Sequence, residues 1–140
     1  MTDLSSTARN FNWLVDNFVD TTVGVTDAVA VSSDGLLIAR SSSLPRAGAE
    51  QVAAIVTGLV SLAQGASRAF QFDEMQQVIV TMQGGYLLVS SIAEGSSLGV
   101  VAEAGCDVGV VGYQTTLLVE RAGDILTPEL VTELHASVIG

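Results

Sequence analysis

The sequence contains no lysine. Its only cations are Arg9, Arg40, Arg46, Arg68 and Arg121, set against fifteen acidic residues and a formal net charge of -10 at pH 7. Binding to a phosphate backbone needs clustered cations that displace counterions. Five scattered arginines exclude that role, and they disfavour anionic membranes for the same reason. Charged residues make up only 14% of the chain, where a soluble domain carries about a quarter. A surface this poor in charge implies apolar area that meets another protein chain.

Cysteine and histidine are nearly absent too. Cys106 and His135 are single copies, so there is no intrachain disulfide and no ligand set for zinc. Cys106 reads as a small buried residue near a helix start, and His135 as a structural residue of the last helix. Nucleophilic catalysis needs a nucleophile, a base and an orienting group. Neither residue has such partners, and no serine stands in a G-x-S-x-G setting. The acidic residues, Asp34 and the Asp73–Glu74 pair included, do not follow a calcium-loop pattern. No catalytic, metal or cofactor residue is assigned, and the chain is not expected to be an enzyme. The opening "MTDLSSTARNFNW" has no basic stretch followed by an apolar run, so the expected location is the cytoplasm.

Apolar residues, by contrast, are abundant at 49% of 140 positions, enough for the core of one domain. Leu4, Ala8, Phe11, Leu14, Val15 and Phe18 recur at helical spacing, with Thr2, Asp3 or Ser5 as cap. Trp13 falls off that stripe and reads as a cover for the helix edge. Val25–Val31 and Leu36–Arg40 read as strands joined through "SSDG", where Asp34-Gly35 suits a hairpin turn needing positive φ. Both strands are apolar at almost every position, which predicts cover on both faces.

The next helix, from about Ala47 to Phe70, is unusual. Its main stripe is Val52, Ile55, Val56, Leu59, Leu62, Ala63, Ala66 and Phe70. The opposite side carries Ala49, Ala53, Ala54, Gly58, Val60, Ser61 and Gly65, small or apolar rather than charged. A helix apolar all round is buried all round. The long stripe is expected on a sheet and the small-residue side against a second copy. The charge-free stretch from Gln51 to Ala66 is shorter than the ~20 apolar residues of a membrane span, and no membrane insertion is expected.

Met75–Met82, Tyr86–Ile92 and Leu98–Glu103 then read as a meander of three strands. A helix follows from about Asp107 to Ala122, capped by Asp107. Gly105, Gly109 and Gly112 do not have phosphate-loop spacing, and read as places where this helix packs closely on the sheet. "LTPELVTELHASVIG" forms a last helix, with Thr127 as cap and Pro128 in its first position. The expected order is α-β-β-α-β-β-β-α with a terminal α added. This is an α+β fold in which helices cover both faces of a five-stranded antiparallel sheet. Residues 4–122 are taken as the domain and 123–140 as an extension.

Two stretches make the chain similar to a known family. "FNWLVDNFVDTTVGVTDAVAVSSDGLLIARS" and "VIVTMQGGYLLVSSIAEGSSLGVVAEAGCDVGVVGYQTTLLVER", with the uncharged helix between them, resemble the Roadblock family of dynein light-chain type, in its bacterial MglB-like branch. The likeness spans about Leu4 to Ala122. The tail and the lysine-free composition look like actinobacterial members encoded in conserved operons. The resemblance implies a profilin-like α/β/α sandwich and a homodimer joined through the second helices and third strands. The interface is expected to include Ala49, Ala53, Val56, Val60, Val78 and Val80. It further implies a non-catalytic regulator of a small Ras-like GTPase, or else a scaffold that tethers a sensor-kinase-like protein. Arg46 and Arg68 are the arginines nearest the implied partner surface. A small-molecule sensor is a third reading, and it requires an interior cavity.

Overall fold

A computed structural model describes residues 4–139. Five strands form one antiparallel sheet in the order β2-β1-β5-β4-β3. Along the chain they are β1 (Val25–Val31), β2 (Leu37–Arg40), β3 (Gln77–Met82), β4 (Gly85–Ser91) and β5 (Ser97–Glu103). The helices are α1 (Ser6–Thr21), α2 (Arg46–Ala69), α3 (Val108–Ile125) and α4 (Pro128–Ile139). The expected order of elements and the two-faced sheet are both present. The expected boundary at 122/123 falls inside α3, which continues to Ile125.

Each element has a local cause. Ser5 caps α1 by accepting from the Ala8 N–H, and Asp107 caps α3 by accepting from the N–H groups of Gly109 and Val110. Thr127 Oγ accepts from the Leu130 N–H at the start of α4. Thr2 and Asp3, the alternative caps for α1, lie outside the described residues. The β1–β2 hairpin turns at Gly35, whose φ of +82° is a left-handed conformation open to glycine. The Ser32 N–H donates to the Leu36 carbonyl and the Gly35 N–H to the Ser32 carbonyl, which closes the turn. Asp34 is exposed. The Asp-Gly pair is a turn.

Two cores flank the sheet. On one side Phe11, Val15 and Phe18 of α1, Val111 and Leu118 of α3, and Leu130 and Leu134 of α4 meet Ala28, Ala30, Ile38, Leu88, Leu98 and Val100. On the other, Ala49, Ala53 and Val56 of α2 meet Val29, Val31, Leu37, Leu87 and Val89. Alternate residues of β1 and of β4 thus enter different cores, which is why these strands lack a wet face.

Candidate functional site

α2 lies on the sheet turned about its axis from the face expected. Val52, Val56, Leu59 and Ala63 of the expected stripe do pack on the core, but Ile55 and Leu62 do not, and Ala49 and Ala53 take part instead. Ala49, Ala53 and Val56 are buried inside the single chain, so they are not available to a second copy. Val60, Val78 and Val80 are half-buried and pack on the same core. They sit where α2 meets the outer strand β3. The helix approaches the sheet closely here. A Cβ placed on Gly99 of β5 would lie 2.6 Å from Cγ2 of Val56, so residue 99 leaves room for the helix. Short side chains at 49 and 53 let the same helix sit down along its length.

Two of the larger side chains of the expected stripe therefore point outward. Ile55 is 47% exposed and Leu62 75% exposed. Gln51, Ala54, Gly58, Ser61 and Ala66 share that outer side and are also exposed. No charged residue occurs between Glu50 and Arg68. Apart from the adjacent backbone of α2 itself, no atom of the described residues lies within 4 Å of a Cβ built on Gly58 or Gly65. Their lack of a side chain is not required by packing within one chain. At 24 residues, α2 spans about 36 Å at 1.5 Å per residue. Among the described residues it alone is long and apolar enough to cross a membrane. The contacts of Ala49, Ala53 and Val56 place it along the sheet instead.

The open side continues past the helix. β3 forms one edge of the sheet and, among the described residues, pairs only with β4. Ile79 and Met82 on it are 46% and 54% exposed. Between α2 and β3, Phe70 and Phe72 stack with ring centroids 5.7 Å apart, and both are exposed. Gln71 between them has a φ of 58°, a conformation that costs a non-glycine residue about 1–2 kcal/mol. The Ser67 hydroxyl bonds the carbonyls of Phe72 and Asp73 and holds this turn. A groove of about 680 Å³ runs beneath the pair, lined in part by Ala63, Ala66 and Met75. A second of about 680 Å³ lies on the far side of the 73–77 segment. Both are open surface grooves, not the interior cavity that a small-molecule sensor requires.

The remaining expected residues are dispersed. Arg46 pairs with Glu50 at 3.1 Å, and Arg68 is exposed in the last turn of α2. Cys106 is half-buried, against Gly24. Trp13 is 56% exposed. Gly105 and Gly109 meet no sheet atom and Gly112 only the end of Gln77, so the expected close packing of α3 belongs instead to α2 at Gly99. His135 bonds the Leu37 carbonyl oxygen through Nδ1 at 3.0 Å. Among the described residues no group of three or more His, Cys, Asp or Glu could hold a metal. Glu133 has a shifted titration. Its carboxyl is lowered, first because it accepts from the Ser5 backbone N–H and then from the Ser5 hydroxyl. The sequence pattern does not reveal that contact, because the partners are 128 residues apart.

Residues 11–102 match the family model of the Roadblock/LC7 domain. A Roadblock/LC7 domain from Streptomyces avermitilis is 31% identical, with a TM-score of 0.75 over 86% of this chain and 94% of that one. MglB of Myxococcus xanthus is 14% identical and superposes with a TM-score of 0.79 over 89% of this chain and 93% of that one. Profilin II of Acanthamoeba castellanii, at 16% identity, gives 0.62 over 81% and 97%. The last two likenesses are of fold. Among curated proteins none matches the chain.

Proposed function

The chain belongs to the Roadblock/LC7 domain family, and from that premise we propose that it acts in the cytoplasm as a homodimer that binds and modulates a small Ras-like GTPase. Membership of the family supports a regulatory rather than a catalytic role. One observation carries the dimer. The uncharged outer face of α2, with Ile55 and Leu62 exposed, is continuous with the free edge of β3. A two-fold axis through that region brings each feature against its own copy, so one operation covers both. The helices meet over Ala54, Gly58 and Ala66, where small residues permit close approach. The two β3 strands pair and join the five-stranded sheets into one. The interface residues of this dimer are Ile55, Gly58 and Leu62, with Val60, Val78 and Val80 at its margin.

The GTPase partner rests on what the family implies. A dimer of this kind offers a continuous sheet with two helices on one side, a broad platform for a folded partner. The test is light scattering combined with titration of a small Ras-like GTPase, loaded with GDP or with a non-hydrolysable GTP analogue. Binding that differs between the two states, or altered hydrolysis or exchange, is the expected result. Unchanged affinity, hydrolysis and exchange sink the modulating role. Equal binding to both states supports a scaffold that tethers a sensor-kinase-like partner.

A further inference from the structure

The sheet has a second edge, and α4 lies across it. Leu130 and Leu134 are buried with the α1 and α3 core on one side of the sheet. Val138, further along the same helix, packs against the α2 core on the other side. The helix therefore straddles the edge strand β2. His135 bonds the Leu37 carbonyl of that strand at 3.0 Å. Glu133 ties the helix to α1, accepting from Ser5 N and Ser5 Oγ at 2.8 Å each.

Beneath this cover β2 is ready to pair. The Ser41 N–H donates to the Ala28 carbonyl, and β2 aligns Ala39 with Ala30 and Arg40 with Val29. Antiparallel hydrogen bonding alternates along the ladder. Ala39 therefore bonds inward, and the N–H and C=O of Arg40 point away from β1. The strand is short, reading Leu37-Ile38-Ala39-Arg40. A helix laid over an apolar edge with outward donors is one means by which proteins prevent edge-to-edge association.

We propose that β2 is a second self-pairing surface of this chain, held closed by α4, and that its occupant when α4 lifts is β2 of another copy. The local arrangement of charge favours a copy as occupant, against the overall repulsion between two chains of net charge -10. Antiparallel pairing about a two-fold axis turns the Asp34 end of each hairpin toward the Arg40 end of the other. The consequence for assembly rests on the α2 and β3 dimer proposed above. Two different self-pairing edges on one protomer do not close on themselves. They alternate into an open row of sheets. With α4 in place the row stops at two chains.

The experiment uses the full chain, with α4 released by Leu134→Asp or, more mildly, by Glu133→Lys. Circular dichroism monitors the fold and light scattering the mass. The wild type is expected at dimer mass. A folded released variant is expected at about twice that mass or more, growing with protein concentration. Growth should increase with salt, as the net charge of -10 is screened. Adding Arg40→Pro, which removes an outward N–H, should return the mass to that of the wild type. A folded released variant at wild-type mass overturns the inference, as does growth that survives Arg40→Pro. If Leu134→Asp unfolds the domain, Glu133→Lys decides by the same criteria. A wild-type monomer with a released variant that stops at dimer keeps the inference and removes the α2 and β3 dimer.

Discussion

Val56 of α2 sits directly over Gly99 of β5, so closely that a Cβ on residue 99 would come within 2.6 Å of Val56 Cγ2 and 3.2 Å of Val29 Cγ2. The contact settles which side of the helix the sheet holds. Gly99→Ala must push α2 outward or shift β1, and overpacking of this kind costs about 1–3 kcal/mol. Chemical denaturation should show that loss. Val56→Glu buries an unpaired carboxylate in the same place and should abolish the cooperative unfolding transition. A folded monomer from Val56→Glu would instead place Val56 at an interface.

Substitutions on the outer side of α2 should behave differently. Ile55→Arg and Leu62→Glu alter side chains that the chain itself leaves 47% and 75% exposed. The far-UV circular dichroism should stay that of the wild type. The mass in light scattering should fall by about twofold, the loss of one copy from a closed dimer. A variant that unfolds, or one that keeps the wild-type mass, would remove this face from the interface.

The order of elements was legible because period and turn chemistry agree. The 3.6-residue stripes of α1 and α3, the Asp34-Gly35 hairpin and the Thr127-Pro128 helix start are each local signals, and each element formed where they stand. The orientation of α2 was not legible. Both of its sides are apolar, so the hydrophobic pattern left its exact direction open, and side-chain size suggested a face turned from the one the sheet holds. Ile55 and Leu62 look like core residues, and Ala49 and Ala53 like an interface. The decision belongs to Gly99, distant in sequence, where the sheet admits a helix only at close range. The position of α4 was hidden for a similar reason. Its apolar side is visible in Leu130, Leu134 and Val138, but its ties to Ser5 and Leu37 are contacts of long sequence separation.

The tie between Glu133 and Ser5 should be visible as a pH dependence. Ser5 is the N-cap of α1, and its own N–H would commonly be met by a Glu or Gln three residues on. Ala8 stands there, and Glu133 of α4 supplies the acceptor instead. The Glu133 carboxyl is lowered from its ordinary value of 4.5 by these bonds. A carboxyl lowered by folding contributes stability above its unfolded value, and the contribution is lost as pH falls through the lower, folded one. Glu133→Gln keeps the shape without the charge. Its melting temperature should therefore lie below the wild type at neutral pH, and the gap should close as pH falls below about 4.5. A gap constant with pH would show that the charged contact contributes nothing.

Gly58 separates the helix from the interface most sharply. Apart from the adjacent backbone of α2, no atom of the described residues lies within 4 Å of a Cβ built there, and alanine favours a helix interior by about 1 kcal/mol over glycine. On a monomeric background such as Leu62→Glu, Gly58→Ala should raise the unfolding midpoint. In the otherwise unaltered chain the same methyl groups face a second copy near the two-fold axis, where α2 meets α2. The dimer should then dissociate at higher protein concentration than the wild type, although each chain is the more stable for the change. Sedimentation across a dilution series, beside denaturation of the monomeric pair, reads the two effects separately. If the methyl group stabilises both chain and dimer, the helices do not approach one another at Gly58, and the interface must lie elsewhere along α2.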